Sequence, residues 1–405
     1  MAEALRILLR DREVGILEYF DEQADYVFTF SEEYLAAADR PVLGQVFEDR
    51  RPTPILTSGM PCWFAHLLPQ GLLRKVLLRS LSLADHAHFD LLRALGSDLP
   101  GAVVVEPTDP LIGPSPDAPP ILAPPQAALP PGLKFSLAGI QLKISVRQLE
   151  DRLTVPVSGE QGRELAKFAS SSYPALARVE HATLHWAGAA GITVVDSALH
   201  TIAEFHGLPA GLPINADDVL VLNRFDRRGD SLADRVHMED FGQILDRPPG
   251  DAGQYEGSYE EITAVLRHIA PDDLREFVRR LVFVVLSGNG DAHLKNWSVL
   301  YPDTRNAVLS PAYDLVPSVM YLQGESLALS LDGSRDFQAV GADSFRPLAA
   351  AADVDWPQVR AWVAESVEAV MANWSAPAVQ EYLSAEETAV IQRHLESLPL
   401  VTNHA

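Results

Sequence analysis

Polar residues crowd one glycine-rich stretch of the chain, Ser287-Gly-Asn-Gly-Asp-Ala-His-Leu-Lys-Asn-Trp297, immediately after the apolar run LVFVVL. Asn289, Asp291, His293, Lys295 and Asn296 all fall within it. Asp291 and Asn296 are spaced D-x-x-x-x-N, a separation that suits phosphoryl transfer: a carboxylate accepts the proton of an attacking hydroxyl while a carboxamide oxygen one short loop away meets a magnesium ion on the phosphates. Lys295 lies between them, where a cation offsets charge on the group in flight, and His293 is a further candidate for proton transfer. Magnesium prefers hard oxygen donors and needs a second one here. Asp314, in Ser310-Pro-Ala-Tyr-Asp-Leu-Val-Pro317, supplies it, read as the end of an apolar strand. The bland alternative for a lone Asp-x4-Asn is a solvated turn that caps a helix.

These groups need a nucleotide opposite them, and the upstream residues offer a place for one. No G-x-x-x-x-G-K-[ST] loop is present, so a P-loop is excluded. Phe135-Ser-Leu-Ala-Gly-Ile-Gln-Leu-Lys143 instead suits a small-residue turn between strands whose amides face phosphates; a plain hairpin is the alternative. Lys167 interrupts the apolar strand ELAKF. A buried lysine needs a partner, and Glu180 on the following helix is the candidate. His181 and His185 share a helix face, but the glutamate precedes both instead of lying between them, against a zinc hydrolase. G-x-S-x-G is absent.

The elements that must position these residues fall into four stretches. Residues 1–106 alternate apolar and polar residues as half-buried strands do, then turn helical from Phe64 to Leu95. Residues 107–132 are dense in proline and suit an extended linker. Residues 133–230 are mostly strands around one helix, RVEHATLHWAGAAG, with ADDVLVLN as a strand leaving the core. Residues 231–405 are mainly helical, interrupted by a β pair, NWSVLYP and NAVLSPAYD.

Composition sets outer bounds. The 405 residues are 47% hydrophobic and 21% charged, a globular profile, with a formal net charge of -23. That acidity opposes direct binding of DNA or RNA as a main activity. The single cysteine, Cys62, allows neither an internal disulfide nor a zinc cluster. Without a signal-like or membrane-spanning segment, the expected location is the cytoplasm.

Taken together these motifs resemble HipA-type serine/threonine kinases, the toxin half of bacterial toxin–antitoxin pairs. SLAGIQLK (136–143) is similar to that family's Gly-rich loop; RFDRR (224–228), HMEDFGQ (237–243) and QYEGSYEEI to its central stretch; GDAHLKNWSV (290–299) and LSPAYDLVPS (309–318) to its catalytic and metal-binding motifs; and FAHLLPQG (64–71) to its N-terminal subdomain. The resemblance implies an α+β, two-lobed protein-kinase-like fold with a small N-terminal α/β subdomain and a mainly helical C-terminal lobe. It implies ATP and Mg2+ as cofactors, Asp291 as base and Asn296 and Asp314 as metal ligands. Lys167 would contact phosphates, together with Ser136, Ala138, Gly139 and Lys143 of the loop; Asn223 and Phe225 would lie at the adenine hinge. Ser136 would be an inactivating autophosphorylation site. The expected partners are a helix-turn-helix antitoxin of the HipB type, which would carry any DNA contact, and a protein substrate such as an aminoacyl-tRNA synthetase or another translation component. A small-molecule phosphotransferase and a catalytically inactive partner-binding regulator are the competing classes.

Overall fold

The computed structural model describes residues 2–20, 24–48, 54–111, 142–149, 152–154, 162–169, 173, 175–208 and 217–402. An antiparallel sheet opens the chain: β1 (Ala2–Leu9), β2 (Arg12–Phe20), β3 (Asp25–Phe30), β4 (Ile55–Ser58) and β5 (Val103–Thr108), in the order β4-β3-β2-β1-β5. Alternate residues Leu5, Ile7 and Leu9 join Val14, Leu17 and Phe28 in one apolar core, which α2 (His88–Leu95) covers with Phe89, Leu91 and Leu92. The stretch from Phe64 to Leu95, expected as helical throughout, is broken. Its helices are Cys62–Ala65, α1 (Gly71–Ser80) and α2. Pro69 has no N–H to continue the first, and Gly71 and Ser82 take left-handed φ of 58° and 55° at the two breaks. Pro107, the first of the proline-dense stretch, lies on the edge strand β5 and pairs with Leu5 of β1, where a missing donor is tolerated. From residue 112 to 141 the chain lies outside the described residues.

The second sheet has the order β10-β7-β6-β8-β11-β9, built from β6 (Leu142–Leu149), β7 (Arg152–Thr154), β8 (Glu164–Phe168), β9 (Ser197–Thr201), β10 (Phe205–His206) and β11 (Asp218–Asn223). Leu142, Val146, Ala166, Phe168, Val219 and Val221 form a small core on one face. The pleat sends Leu220 and Leu222 to the opposite face, into the largest core of the molecule. Helix α3 (Leu176–Ala189) enters that core with Ala177, Leu184 and Trp186, and Trp186 Nε1 donates to Val370 O at 2.9 Å.

The rest of that core is helical. Ser258 and Glu261 form a capping box that starts α4 (Tyr259–Ile269). Helix α5 (Leu274–Ser287) is buried on nearly every side of its second half, from Leu281 to Ser287. Helices α6 (Trp356–Asn373) and α7 (Ala385–Ser397) pack around it. The expected β pair is β13 (Ser298–Tyr301) with β14 (Val308–Leu309), and β12 (His237–Asp240) joins them as a third strand. The architecture is thus mixed α+β, with a sheet-rich part over a helical one.

Among the described residues, polar joints lock the N-terminal sheet region to this body, two of them buried and built on acids. At the first, Asp98 accepts from Arg224 at 2.9 Å and from Arg227 at 3.0 Å, and Asp226 bonds both arginines and the N–H of Gly101. RFDRR is therefore a buried joint in the fold. At the second, Glu239 of β12 is fully buried and accepts from Trp63 Nε1 at 2.8 Å, Tyr301 OH at 2.5 Å and the N–H of Gln45 at 3.2 Å. Burial pushes the Glu239 carboxyl up to about 7. The folded protein thus holds a proton that the unfolded chain releases nearer 4.5, so the stability this acid contributes is complete below that value and declines as pH rises through 7. The span is worth about 3 kcal/mol at most. We expect the melting temperature of Glu239→Gln protein, relative to wild type, to rise between pH 5 and pH 8 in thermal scans (on the order of those bounds); a constant difference would refute the titration.

Candidate active site

Two loops and two strand lysines converge at the C-terminal end of α5. The first is the turn after the helix. Gly288 ends α5 in the left-handed region, φ 71°, accepting no side chain without meeting Val319. Gly290 is held close to the next loop: a Cβ there would lie 2.2 Å from the Glu325 carboxylate. Within this turn the Asn289 Oδ1 accepts from the Asp291 N–H at 3.0 Å, and the Asn296 Nδ2 donates to Asp291 O at 2.8 Å. Donation through Nδ2 identifies Oδ1 as the Asn296 atom left for a cation. Asp291 Oδ1 accepts from the hydroxyl of Tyr255.

The second loop carries Asp314. It lies beyond β14 rather than at a strand end, in a left-handed conformation, φ 53°. This corrects the expectation from sequence: the strand stops at Leu309, and a lone bridge between Val194 and Ala312 carries the chain onward. Aspartate tolerates that conformation better than most residues. Ser318 fastens the loop to the first turn, accepting from Gly290 N–H at 2.7 Å and donating to Glu325 at 2.5 Å.

Lysines from the sheet complete the site. Lys143 on β6 and Lys167 on β8 are direct cross-strand partners, so their side chains rise from the same face. Two ammonium groups so placed repel unless anions separate them. Lys167 Nζ meets Glu180 of α3 at 2.5 Å and also Asp314 Oδ1, while Lys143 Nζ meets Asp314 Oδ2 at 2.8 Å. Lys167 is 1% exposed; burial alone would lower its pKa, but Asp314 and Glu180 outweigh that and keep it charged. Burial would raise the Asp314 carboxyl, yet the two lysines hold it well below the usual carboxylate range. Both oxygens of this ionised carboxylate are thereby occupied by ammonium groups, so a divalent ion could use Asp314 only where phosphate oxygens draw a lysine away.

Lys295 is placed differently from a free phosphate cation. Its Nζ pairs with Asp240 at 3.1 Å and donates to His66 O at 3.0 Å and His66 Nδ1 at 3.1 Å, using its three protons. His66 Nε2 bonds Arg247 O at 2.9 Å. A carbonyl only accepts, so Nε2 carries the proton and Nδ1 is left to accept from Lys295. Lys295 is therefore a tether between the turn and residues of the N-terminal sheet region. His293 is 2% exposed, neither ring nitrogen has a hydrogen-bond partner, and burial lowers its pKa to about 4, so it is uncharged at neutral pH. Phe225 lies against Tyr313 with ring centroids 5.6 Å apart. Asn223 ends β11, exposed, with its N–H already given to Asp196 O at 3.0 Å. Ser136, Ala138 and Gly139 lie outside the described residues. His181 bonds Ser197 at 2.9 Å, and among the described residues no group of three or more metal-binding side chains occurs. Sequence reasoning passed over Asp240, His66, Tyr255 and Ser318, whose roles arise from contacts distant along the chain.

A mixed sheet over a helical body, with a lysine–glutamate pair and a loop carboxylate facing an Asp-x4-Asn turn, defines a kinase-like class. Residues 5–106 match the HipA N-terminal domain and residues 135–374 the HipA-like C-terminal domain, so the chain belongs to the HipA family. It is 35% identical over 392 residues to the "Putative kinase Y4dM" of Sinorhizobium fredii, covering 94% of this chain and 93% of that protein. It is 28% identical to the "Putative kinase Y4mE" of the same organism, over 86% of each. Its fold is similar to that of HipA from Shewanella oneidensis, solved with HipB and operator DNA: the TM-score is 0.71 at 18% identity, covering 99% of both chains.

Proposed function

We propose that this protein is an ATP- and magnesium-dependent kinase that phosphorylates a serine or threonine hydroxyl of a protein. The observation that carries the reading is the meeting of Lys143 and Lys167 with Asp314, and of Lys167 with Glu180, opposite the turn that holds Asp291 and Asn296. Asp291 accepts the proton of the attacking hydroxyl. Asn296 and Asp314 are oxygen donors of the kind Mg2+ prefers, and bound there the ion would neutralise charge between the phosphates. Lys167, kept charged by two carboxylates, and Lys143 hold phosphate oxygens once the nucleotide enters. Lys295 holds the turn in place, and His293 packs it. Phe225 and the backbone beside Asn223 border the adenine.

Membership of the HipA family and the company of HipB in the Shewanella structure support a toxin role with a helix-turn-helix antitoxin as partner. With a net charge of -23, DNA contact passes through that partner. Ser136 in the Gly-rich segment is the regulatory acceptor: a phosphoserine there adds about -1.5 to -2 charges and weakens ATP binding, either by competing with the nucleotide phosphates or by drawing the loop away. Incubation with γ-labelled ATP and Mg2+ should label the protein itself, with the phosphate mapping by mass spectrometry to the Ser136 peptide. Label confined to small molecules, or none at all, would overturn the kinase assignment; label on another residue would remove Ser136 as the switch.

A further inference from the structure

Tyr255 belongs to the stretch Gln254-Tyr-Glu-Gly-Ser258, for which sequence reasoning offered no chemistry. It follows the one-turn helix Asp251–Gln254 and is 8% exposed. Its carbonyl is fixed by Arg335 Nη2 at 2.6 Å, and its ring stands edge-on to that of His293, with centroids 5.0 Å apart and planes at 90°. The tyrosine is thus held at its backbone and along one edge of its ring. Its hydroxyl then ends on Asp291 Oδ1.

The backbone of Asp291 is already fixed by Asn289 and Asn296. Those bonds leave rotation of the carboxylate about its last torsion, which is broad for aspartate. The Tyr255 hydroxyl bonds one particular oxygen and so helps set the carboxylate's orientation about that torsion. We infer that Tyr255 is a positioning residue for phosphoryl transfer, orienting the Asp291 carboxylate through Oδ1 toward the acceptor hydroxyl whose proton it takes. This rests on the reading of Asp291 as the proton acceptor. Tyr255 itself gains and loses no proton in the cycle; the proton passes from the acceptor hydroxyl to Asp291 as the oxygen–phosphorus bond forms and the bond to ADP breaks.

Tyr255→Phe keeps the ring and its packing on His293 and removes only the hydroxyl. In steady-state assays of the full chain, kcat should fall about 10- to 100-fold, as for a misplaced catalytic group, while KM for ATP stays within about twofold. Replacing Tyr255 with 4-fluorophenylalanine fills the hydroxyl's volume without donating a proton and should reproduce the loss, so a cavity in the Phe protein cannot explain it. In an Asp291→Asn background, Tyr255→Phe should change the residual rate by less than about twofold, since the carboxylate it positions is gone. The inference is overturned if Tyr255→Phe protein keeps wild-type kcat, if kcat and KM for ATP shift by the same factor, or if the loss persists undiminished without Asp291. Should Asp291→Asn itself retain wild-type activity, the reading beneath it fails; an inactive Asp291→Asn beside a fully active Tyr255→Phe refutes the role of Tyr255 alone.

Discussion

Asp291→Asn protein is expected to bind Mg-ATP as wild type does and to transfer phosphate about 10²- to 10⁴-fold more slowly, the usual cost of removing a general base. The substitution is nearly isosteric. It keeps the backbone bonds from Asn289 and Asn296, and a carboxamide oxygen can still accept from Tyr255. Only the proton-accepting charge is removed, so the loss should sit in kcat, with nucleotide affinity unchanged. Asp314→Ala provides the contrast. It deletes the proposed magnesium ligand and takes an anion from Lys143 and from Lys167, which keeps Glu180, so its defect should appear in Mg-ATP binding itself. Nucleotide titration by calorimetry beside single-turnover transfer separates the two. Near-wild-type transfer by Asp291→Asn protein would remove Asp291 from the mechanism.

The second large effect concerns stability. Asp226 is 4% exposed and lies between the guanidinium groups of Arg224 and Arg227, with Gly101 N–H as a further donor. Burial would raise its carboxyl, but the two arginines reverse this and hold it below the ordinary value, so it is ionised near neutral pH. Asp226→Ala would leave the buried Arg227 and the partly buried Arg224 with Asp98 as their remaining anion. Breaking a buried ion pair from one side typically costs about 3–5 kcal/mol, because the orphaned charge stays desolvated. The joint lies between residues 97–103 and the kinase-like body, and Arg235 bonds Val103 O there at 3.1 Å. Melting should therefore begin with detachment of the N-terminal sheet, which also carries His66 onto Lys295. Thermal scans with limited proteolysis test this: an unchanged melting temperature and cleavage pattern would show that Asp226 contributes little. Restoring a joint without charge, by changing Asp226 together with both arginines to apolar residues of similar size, should recover part of the loss.

Some of this protein was legible without a structure because the signals were local. Asp291 and Asn296 lie within one turn, so their spacing alone brings them together. The apolar run of α5 and the capping residues Ser258 and Glu261 give helices whose boundaries depend on neighbours a few residues away. Lys167 on an otherwise apolar strand demanded an anion, and Glu180, on the next helix, was within reach of that argument; the two meet at 2.5 Å.

Tertiary structure alone decided the rest. Lys143 and Lys167 adjoin only because of the strand register, and a slip of one residue would send one of them to the opposite face. Asp314 reaches Lys167 across 147 residues and Lys143 across 171, distances over which no periodicity speaks. Lys295 looked from sequence like a cation for phosphate, yet a region 229 residues earlier occupies it through His66. RFDRR and HMED, quoted from sequence only for their family likeness, prove to be joints: folding buries Asp226 and Glu239 against the N-terminal sheet region, where buried polar groups need partners. Composition and spacing determine which side chains can do chemistry; long-range packing determines which of them are already paired, because a buried charge takes whatever opposite charge or donor the fold brings to it.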